Sequence, residues 1–243
     1  MEYDSYYQLE DLVSLGTQEY AYRRAFGRLK SGNPLFLSED TPLTFVLGGF
    51  HPAVPTPENF LALTREIHPH PDDTHIFMDQ NLEPLFELTN PNRLMRLQTD
   101  HIPTEIHDYY HRKQAQLEDM RFHESVDVLI LDRTLDFLDD EQVRAFAKSA
   151  SEALTRNGVV LATIKDPILP RFISQWKGKL ENTVPQHYRS PKKLQQLTDE
   201  YLQTILIADS ETLGRRPFYI VGLARKDSDF QPFIGNPTGF TQY

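Results

Sequence analysis

The sequence predicts an α/β protein: an open, mostly parallel sheet of seven strands between two layers of helices, its last strand antiparallel. Three observations carry this. Residues Val126 to Ile164 read without interruption as strand, loop, capped helix, turn and strand, a unit with one strongly favoured hand. Short apolar runs alternate with segments of helical period along the rest of the chain. The last two apolar runs, Leu202 to Ala208 and Phe218 to Ala224, are joined only by a turn around Gly214. A parallel connection needs a dozen or more residues, so these two strands form an antiparallel hairpin.

In chain order, Ser5 to Lys30 is a helical preface, and the turn residues Ser31, Gly32, Asn33 and Pro34 precede a first strand at Leu43 to Leu47 that ends in Gly48-Gly49. Thr56-Pro57 starts a helix, because proline at the first helical position loses no needed N–H, and Phe60, Leu63, Thr64 and Ile67 give it an inner face. The run HPHPDD ends it. His75 to Met78 is the second strand, closing at Asp79, with a short helix at Leu82 to Leu88. Leu94 to Gln98 is expected as the third strand, closing at Asp100, and Glu105 to Arg121 as a polar helix. Val126 to Leu131 is a fourth strand, rich in β-branched residues and covered on both faces. Asp139 with Gln142 has the spacing of a capping box. Val143, Phe146, Ala147, Ala150 and Leu154 then line one helix face, Asn157-Gly158 is expected as its left-handed stop, and Val159 to Ile164 is the fifth strand. Helices at Ile168 to Leu180 and after Ser190-Pro191 lead to the closing hairpin. The organisation is a helical extension over 1–40, a sheet domain over 41–227 and a tail over 228–243.

Composition narrows function. A chain of 243 residues buries enough surface for one substantial core without staples, and it has no cysteine, which removes disulfides and thiolate chemistry. The formal net charge of −10 opposes broad contact with nucleic acid. The first twenty residues are acidic without an apolar core, and no run approaches a membrane span, so a soluble cytoplasmic protein without membrane or nucleic acid partners is expected.

Four fragments in this order resemble class I S-adenosylmethionine-dependent methyltransferases: MDQNLEPL after strand two, LQTDHIP after strand three, LDRTLDFLDD after strand four, and RRPFYIVGLARK for the closing strand. The likeness runs from Thr44 to Lys226. It implies a Rossmann-like three-layer sandwich with a seven-stranded, mostly parallel sheet and an antiparallel last strand. It also implies S-adenosylmethionine as cofactor and a small-molecule acceptor. Carried onto this chain, Asp79 with Gln80 receives the ribose hydroxyls, Asp100 with His101 lies near the adenine amino group, and Asp132 with Arg133 faces the methionine end. Gly48, Gly49 and Phe50 stand where the family has its glycine-rich turn. There the chain departs from the pattern: in VLGGFHPAVPTP, Phe50, His51 and Pro52 replace the later small positions. A non-catalytic partner protein that kept the sheet is the alternative reading.

Each candidate also has a structural reading. Asp79 and Asp100 are residue types that begin turns, and Gly48-Gly49 serves a strand-to-helix turn with or without a ligand. Asp132 and Arg133 are able to pair with each other. His107 and His111 have helical metal-ligand spacing, but no third ligand accompanies them and a solvated helix face explains them, so no metal site is assigned. The chain lacks G-x-S-x-G, G-x-x-x-x-G-K-[ST] and G-x-G-x-x-G, which argues against acyl transfer at a nucleophile elbow, phosphate-loop hydrolysis and dinucleotide-dependent oxidoreduction. His51, His101, Asp132 and Tyr188 are within the chemistry of proton transfer, but none is assigned a catalytic role. The aromatic, basic preface around Tyr20, Tyr22, Arg23 and Phe26 reads as an amphipathic helix on the sheet or as a cover over the acceptor. The tail from Asp229 reads as a loose end, or as a segment that packs on a neighbouring surface, a second subunit of a homodimer included.

Overall fold

The computed structural model describes residues 15–33, 36–38, 40–48, 56–79, 110–114, 120, 122–165, 187–209 and 218–232. Seven strands form one sheet: β1 (Thr44–Gly48), β2 (Thr74–Asp79), β3 (Tyr110–Gln114), β4 (Val126–Asp132), β5 (Leu154–Lys165), β6 (Leu202–Asp209) and β7 (Phe218–Arg225). Their order is β3-β2-β1-β4-β5-β7-β6. The pairs β1–β2, β1–β4, β2–β3 and β4–β5 are parallel, and β7 lies antiparallel between β5 and β6. The closing hairpin expected from the short Gly214 turn is therefore present, with β7 inserted into the sheet.

Among the described residues four α-helices cover the sheet: α1 (Leu15–Gly32), α2 (Thr56–Ile67), α3 (Asp140–Ala153) and α4 (Pro191–Thr198). Alternate strand residues point to opposite faces, so each strand feeds two cores. On one face Phe45, Leu47, Val128, Ile130, Val159 and Leu161 meet Tyr22, Ala25, Phe26 and Leu29 of α1 and Leu61 and Leu63 of α2. On the other, Val46, Leu129, Leu131, Val160 and Ala162 meet Val143, Phe146, Ala147 and Ala150 of α3 and Leu194 and Leu197 of α4. The preface thus contributes an ordinary sheet-packing helix. The capping box is formed as its spacing implies: the Asp139 carboxylate accepts from the Glu141 and Gln142 amides, and Gln142 Oε1 accepts from Asp139 N–H. Ser190 caps α4 ahead of Pro191. None of the helices among the described residues is long and apolar enough to cross a membrane.

Two expectations are corrected, and of the two readings of the tail the packed one holds at its start. The sheet's third strand is Tyr110–Gln114, inside the segment read as a polar helix, while Leu94 to Gln98 lies outside the described residues. The strand stands at the sheet edge, pairing with β2 alone, and an edge strand accommodates charge that a central strand excludes. With His111 in a strand, the helical spacing of His107 and His111 no longer holds. The helix stop at Asn157-Gly158 is also displaced: α3 ends at Ala153, Leu154 is already extended (φ −69°, ψ 139°) and pairs with Val126, and β5 runs through both residues. Finally, the start of the tail is docked. Phe230 is 5% exposed and meets Phe36 edge-on at 5.4 Å between ring centroids. The helices expected at Leu82 to Leu88 and Ile168 to Leu180 fall outside the described residues.

Candidate functional site

The chain leaves β1 toward β2 on one side and returns to β4 on the other, so the carboxyl ends of β1 and β4 bound the crevice where open α/β sheets take ligands. Register fixes what stands there. Gly48 pairs with Met78 of β2 and with Leu131 of β4, which puts Asp79 and Asp132 one residue beyond it on either side. Two interstrand spacings of about 4.8 Å set the Cα atoms of these acids roughly 10 Å apart across a glycine.

The loop after β4 is tied to the strands on both sides of β4. Arg133 takes the left-handed conformation (φ 56°, ψ 6°), unusual for a residue with a Cβ and the kind of local strain that gathers at ligand sites. Its amide donates to Thr163 Oγ1 at 2.9 Å, and Thr134 Oγ1 donates to the Gly48 carbonyl at 2.9 Å, bridging β4 to β1. A single 3₁₀ turn over Thr134–Phe137 follows and delivers Asp136 inward.

Asp136 is 1% exposed, and its Oδ2 lies 3.8 Å from Nε of Arg133, itself 3% exposed. Burial pushes the Asp136 carboxyl up to about 7, against the opposing pull of Arg133, the Lys165 amide, and the charges of Lys165 and Arg189. Arg189 bolts the loop from behind. It donates to the carbonyls of Leu135, Leu138 and His187 and to the Asp140 carboxylate at 2.9 Å, while the His187 amide donates to the Asp136 carbonyl at 2.6 Å. Between these two anchors stands Tyr188, with Nζ of Lys165 5.5 Å from its ring centroid.

Of the residues singled out in the sequence, Gly48, Asp79, Asp132 and Arg133 share this rim, and Tyr188 lies beside it through its contact with Lys165. Gly49, Phe50, His51, Gln80, Asp100 and His101 lie outside the described residues. The strand expected to close at Asp100 likewise lies outside the described residues, and the third strand they contain ends at Gln114. Sequence reasoning passed over Thr134, Asp136, Thr163, Lys165 and Arg189. Lys165 alone carried a local signal, as a cation ending a buried apolar strand; the others are defined by partners far away in the chain.

No sequence-family model matches the chain, and no curated protein matches it by sequence. Solved structures do match. A protein of Bordetella parapertussis described as a possible exported protein aligns with a TM-score of 0.60 and 16% identity over 86% of this chain and 67% of its own. The N-methyltransferase NodS of Bradyrhizobium japonicum, in complex with S-adenosyl-L-homocysteine, aligns at 0.54 and 12% identity over 85% of this chain and 87% of its own. The magnesium protoporphyrin IX methyltransferase ChlM of Synechocystis, with bound S-adenosylhomocysteine, aligns at 0.57 and 10% identity over 86% and 83%. Together with the strand order, these likenesses show that the chain has the class I methyltransferase fold.

Proposed function

We propose that this protein is an S-adenosylmethionine-dependent methyltransferase acting on a small-molecule acceptor. The observation that carries the reading is the rim at the β1/β4 switch point, where Asp79 and Asp132 stand one residue beyond Gly48 on either side and Thr134 clasps the Gly48 carbonyl. The residues fit such a cofactor. A glycine lets backbone approach a ligand closely, a carboxylate accepts paired hydrogen bonds from a ribose diol, and a second carboxylate suits the cationic methionine end. In this assignment Gly48, Gly49 and Phe50 form the turn under the cofactor, Asp79 with Gln80 holds the ribose, and Asp132 with the Arg133 backbone faces the methionine end. Asp100 and His101 remain assigned to the adenine side, by the likeness of LQTDHIP alone.

When bound, the cofactor supplies a methyl group already activated on sulfonium sulfur. The task left to the chain is alignment and exclusion of water. The clamped loop from Arg133 to Leu138 serves alignment, since the Thr134 hydroxyl ties it to β1 and its backbone is fixed to β5 and, through Arg189, to the segment before α4.

Isothermal titration calorimetry with S-adenosylmethionine, S-adenosylhomocysteine and NAD in parallel tests the reading. The first two are expected to bind in the micromolar range and NAD not at all. Asp79→Ala, checked for native circular dichroism, is expected to weaken both by tenfold or more, because the diol loses a charge-assisted acceptor. Absence of heat with either sulfur nucleoside defeats the reading in favour of a non-catalytic partner protein.

A further inference from the structure

Asp136 has no part in the cofactor assignment, although the turn that carries it also carries the Thr134 clasp on the rim. Its carboxyl is buried, and the Lys165 amide donates to it. Oδ2 has no hydrogen-bond partner, and Nε of Arg133, at 3.8 Å, stands beyond hydrogen-bond reach. An ionised carboxylate is not stable when buried on those terms, because it requires donors on both oxygens; one unmade bond of a neutral acid costs far less. The arrangement is therefore that of the protonated acid, and burial, which raises this carboxyl to about 7, acts in the same sense. The groups around it are Arg133 on its own turn, Lys165 at the end of β5, and Arg189 with His187 and Tyr188 on the segment before α4. Asp132 ends β4 one residue ahead of Arg133, and Asp140 opens α3, where Arg189 and Lys193 share it. Acids and cations are thus mixed at this corner, and no cation donates to Oδ2.

We infer that Asp136 is a proton-operated latch of the rim: protonated, it seats the turn over Thr134–Phe137 as described, and ionised, it releases that turn and with it the Thr134 clasp on Gly48. Two routes supply the missing donor on ionisation, and both displace the turn. Arg133 is drawn toward Oδ2, which loads the residue whose backbone is already left-handed at φ 56°, or the carboxyl leaves for water. The turn is short, so its ends move together: the Asp136 amide donates to the Arg133 carbonyl at 3.0 Å, and the Thr134 hydroxyl reaches Gly48 from between them. The latch deepens the methyltransferase reading by giving that site a pH control, and it rests on that reading only for the identity of the ligand. Asp136 acts through the turn and is a positioning residue. Because the liganded rim needs the seated turn, and the seated turn needs the proton, nucleoside affinity falls as pH rises through about 7.

Two measurements on the full chain test the latch. Hydrogen exchange by NMR in the nucleoside-free protein, corrected for the intrinsic pH dependence of exchange, follows the Arg133, Asp136 and His187 amides, each bonded within the latch. Their protection is expected to fall about tenfold between pH 6 and 8, while the Val143 amide, bonded to Asp139 at the start of α3, keeps its own. Calorimetry with S-adenosylhomocysteine is expected to show binding about tenfold weaker at pH 8 than at pH 6. Asp136→Asn, a neutral isostere, is expected to give level profiles in both measurements and to bind the nucleoside more tightly than the parent at pH 8. Level profiles in the parent, or a slope that persists in Asp136→Asn, overturn the inference. Should the variant not fold, carbon-13 NMR of the Asp136 carboxyl in the parent takes its place, and a titration midpoint apart from that of the exchange profile overturns the inference equally. Absence of S-adenosylhomocysteine binding at either pH defeats the cofactor reading instead, and the exchange profile still decides the latch.

Discussion

His75 stacks on Phe45 at 5.4 Å between centroids and 10° between planes, and it shares a 2.8 Å hydrogen bond with Thr64 in the layer between the sheet and α2. Burial lowers its pKa to about 4 against the opposing attraction of Asp73, whereas burial raises Asp136 to about 7. The two groups therefore pull stability in opposite directions with pH. Between about pH 4 and 6.5 the unfolded chain binds a proton at His75 that the folded chain refuses. That contribution is complete above 6.5 and is lost on acidification, by about 3 kcal/mol at most. Between about pH 4 and 7 the folded chain keeps a proton on Asp136 that the unfolded chain releases, so this contribution is present in acid and lost as pH rises. His75→Phe preserves the stacking and removes the first term; Asp136→Asn removes the second. Urea unfolding from pH 4.5 to 7.5 should show His75→Phe gaining on the unaltered protein as pH falls, and Asp136→Asn gaining as it rises. Curves parallel to the unaltered protein's would refute both assignments.

At the scale of elements, the junction between α3 and β5 shows a glycine signal that marks a strand bulge rather than a helix stop. Asn157-Gly158 has the composition of a helix stop, but the glycine is required by the sheet: a Cβ on Gly158 would stand 2.5 Å from the Val126 carbonyl oxygen. Five steps along β5 oppose two along β4 between the pairs Val126–Leu154 and Val128–Val159, and the bulge presses Gly158 against its neighbour's backbone. Gly158→Ala should therefore cost about 2 kcal/mol or more, as backbone cannot yield the way a flexible side chain does, and chemical denaturation measures it. An alanine variant as stable as the parent would remove the bulge from the account. Elements whose evidence lies within a dozen residues were legible: β1, β2 and β4 from apolar runs, α3 from Asp139 and Gln142, and the β6–β7 hairpin from the length of its turn. The edge strand β3 was not, because Tyr-His-Arg-Lys-Gln carries no apolar alternation when only one side is paired. The same distinction divides the site. Gly48, Asp79 and Asp132 mark strand ends and are visible in one dimension. Arg189 finds its carbonyl partners 51 and 54 residues away, and no spacing rule announces that.

At the scale of the whole molecule, the two ends of the described chain close one core together. Phe26 of α1 stacks on Phe36, and Phe36 meets Phe230 edge-on, so the amino-terminal helix and the start of the tail share one aromatic layer. Polar contacts hold the tail in place: Arg156 and Asn157 donate to the Asp229 carboxylate, and Gln203 donates to the Phe230 carbonyl. Because β7 is antiparallel, its end at Arg225 lies with Leu202 and Ala224 with Val159, at the amino ends of β6 and β5 and away from the rim that carries Gly48 and Lys165. The contacts that hold the tail and the proposed cofactor rim thus lie at opposite ends of the sheet. Truncating a buried phenylalanine leaves a cavity worth about 3 kcal/mol or more. In a domain of this size each kcal/mol moves the melting temperature by roughly 2–4 °C, so Phe230→Ala should lower Tm by about 6 °C or more. Its affinity for S-adenosylhomocysteine, measured well below that Tm, should match the parent's. An unchanged Tm would mean that Phe230 does not complete the core, and a native-like variant that no longer bound the nucleoside would mean that the two ends of the sheet are coupled.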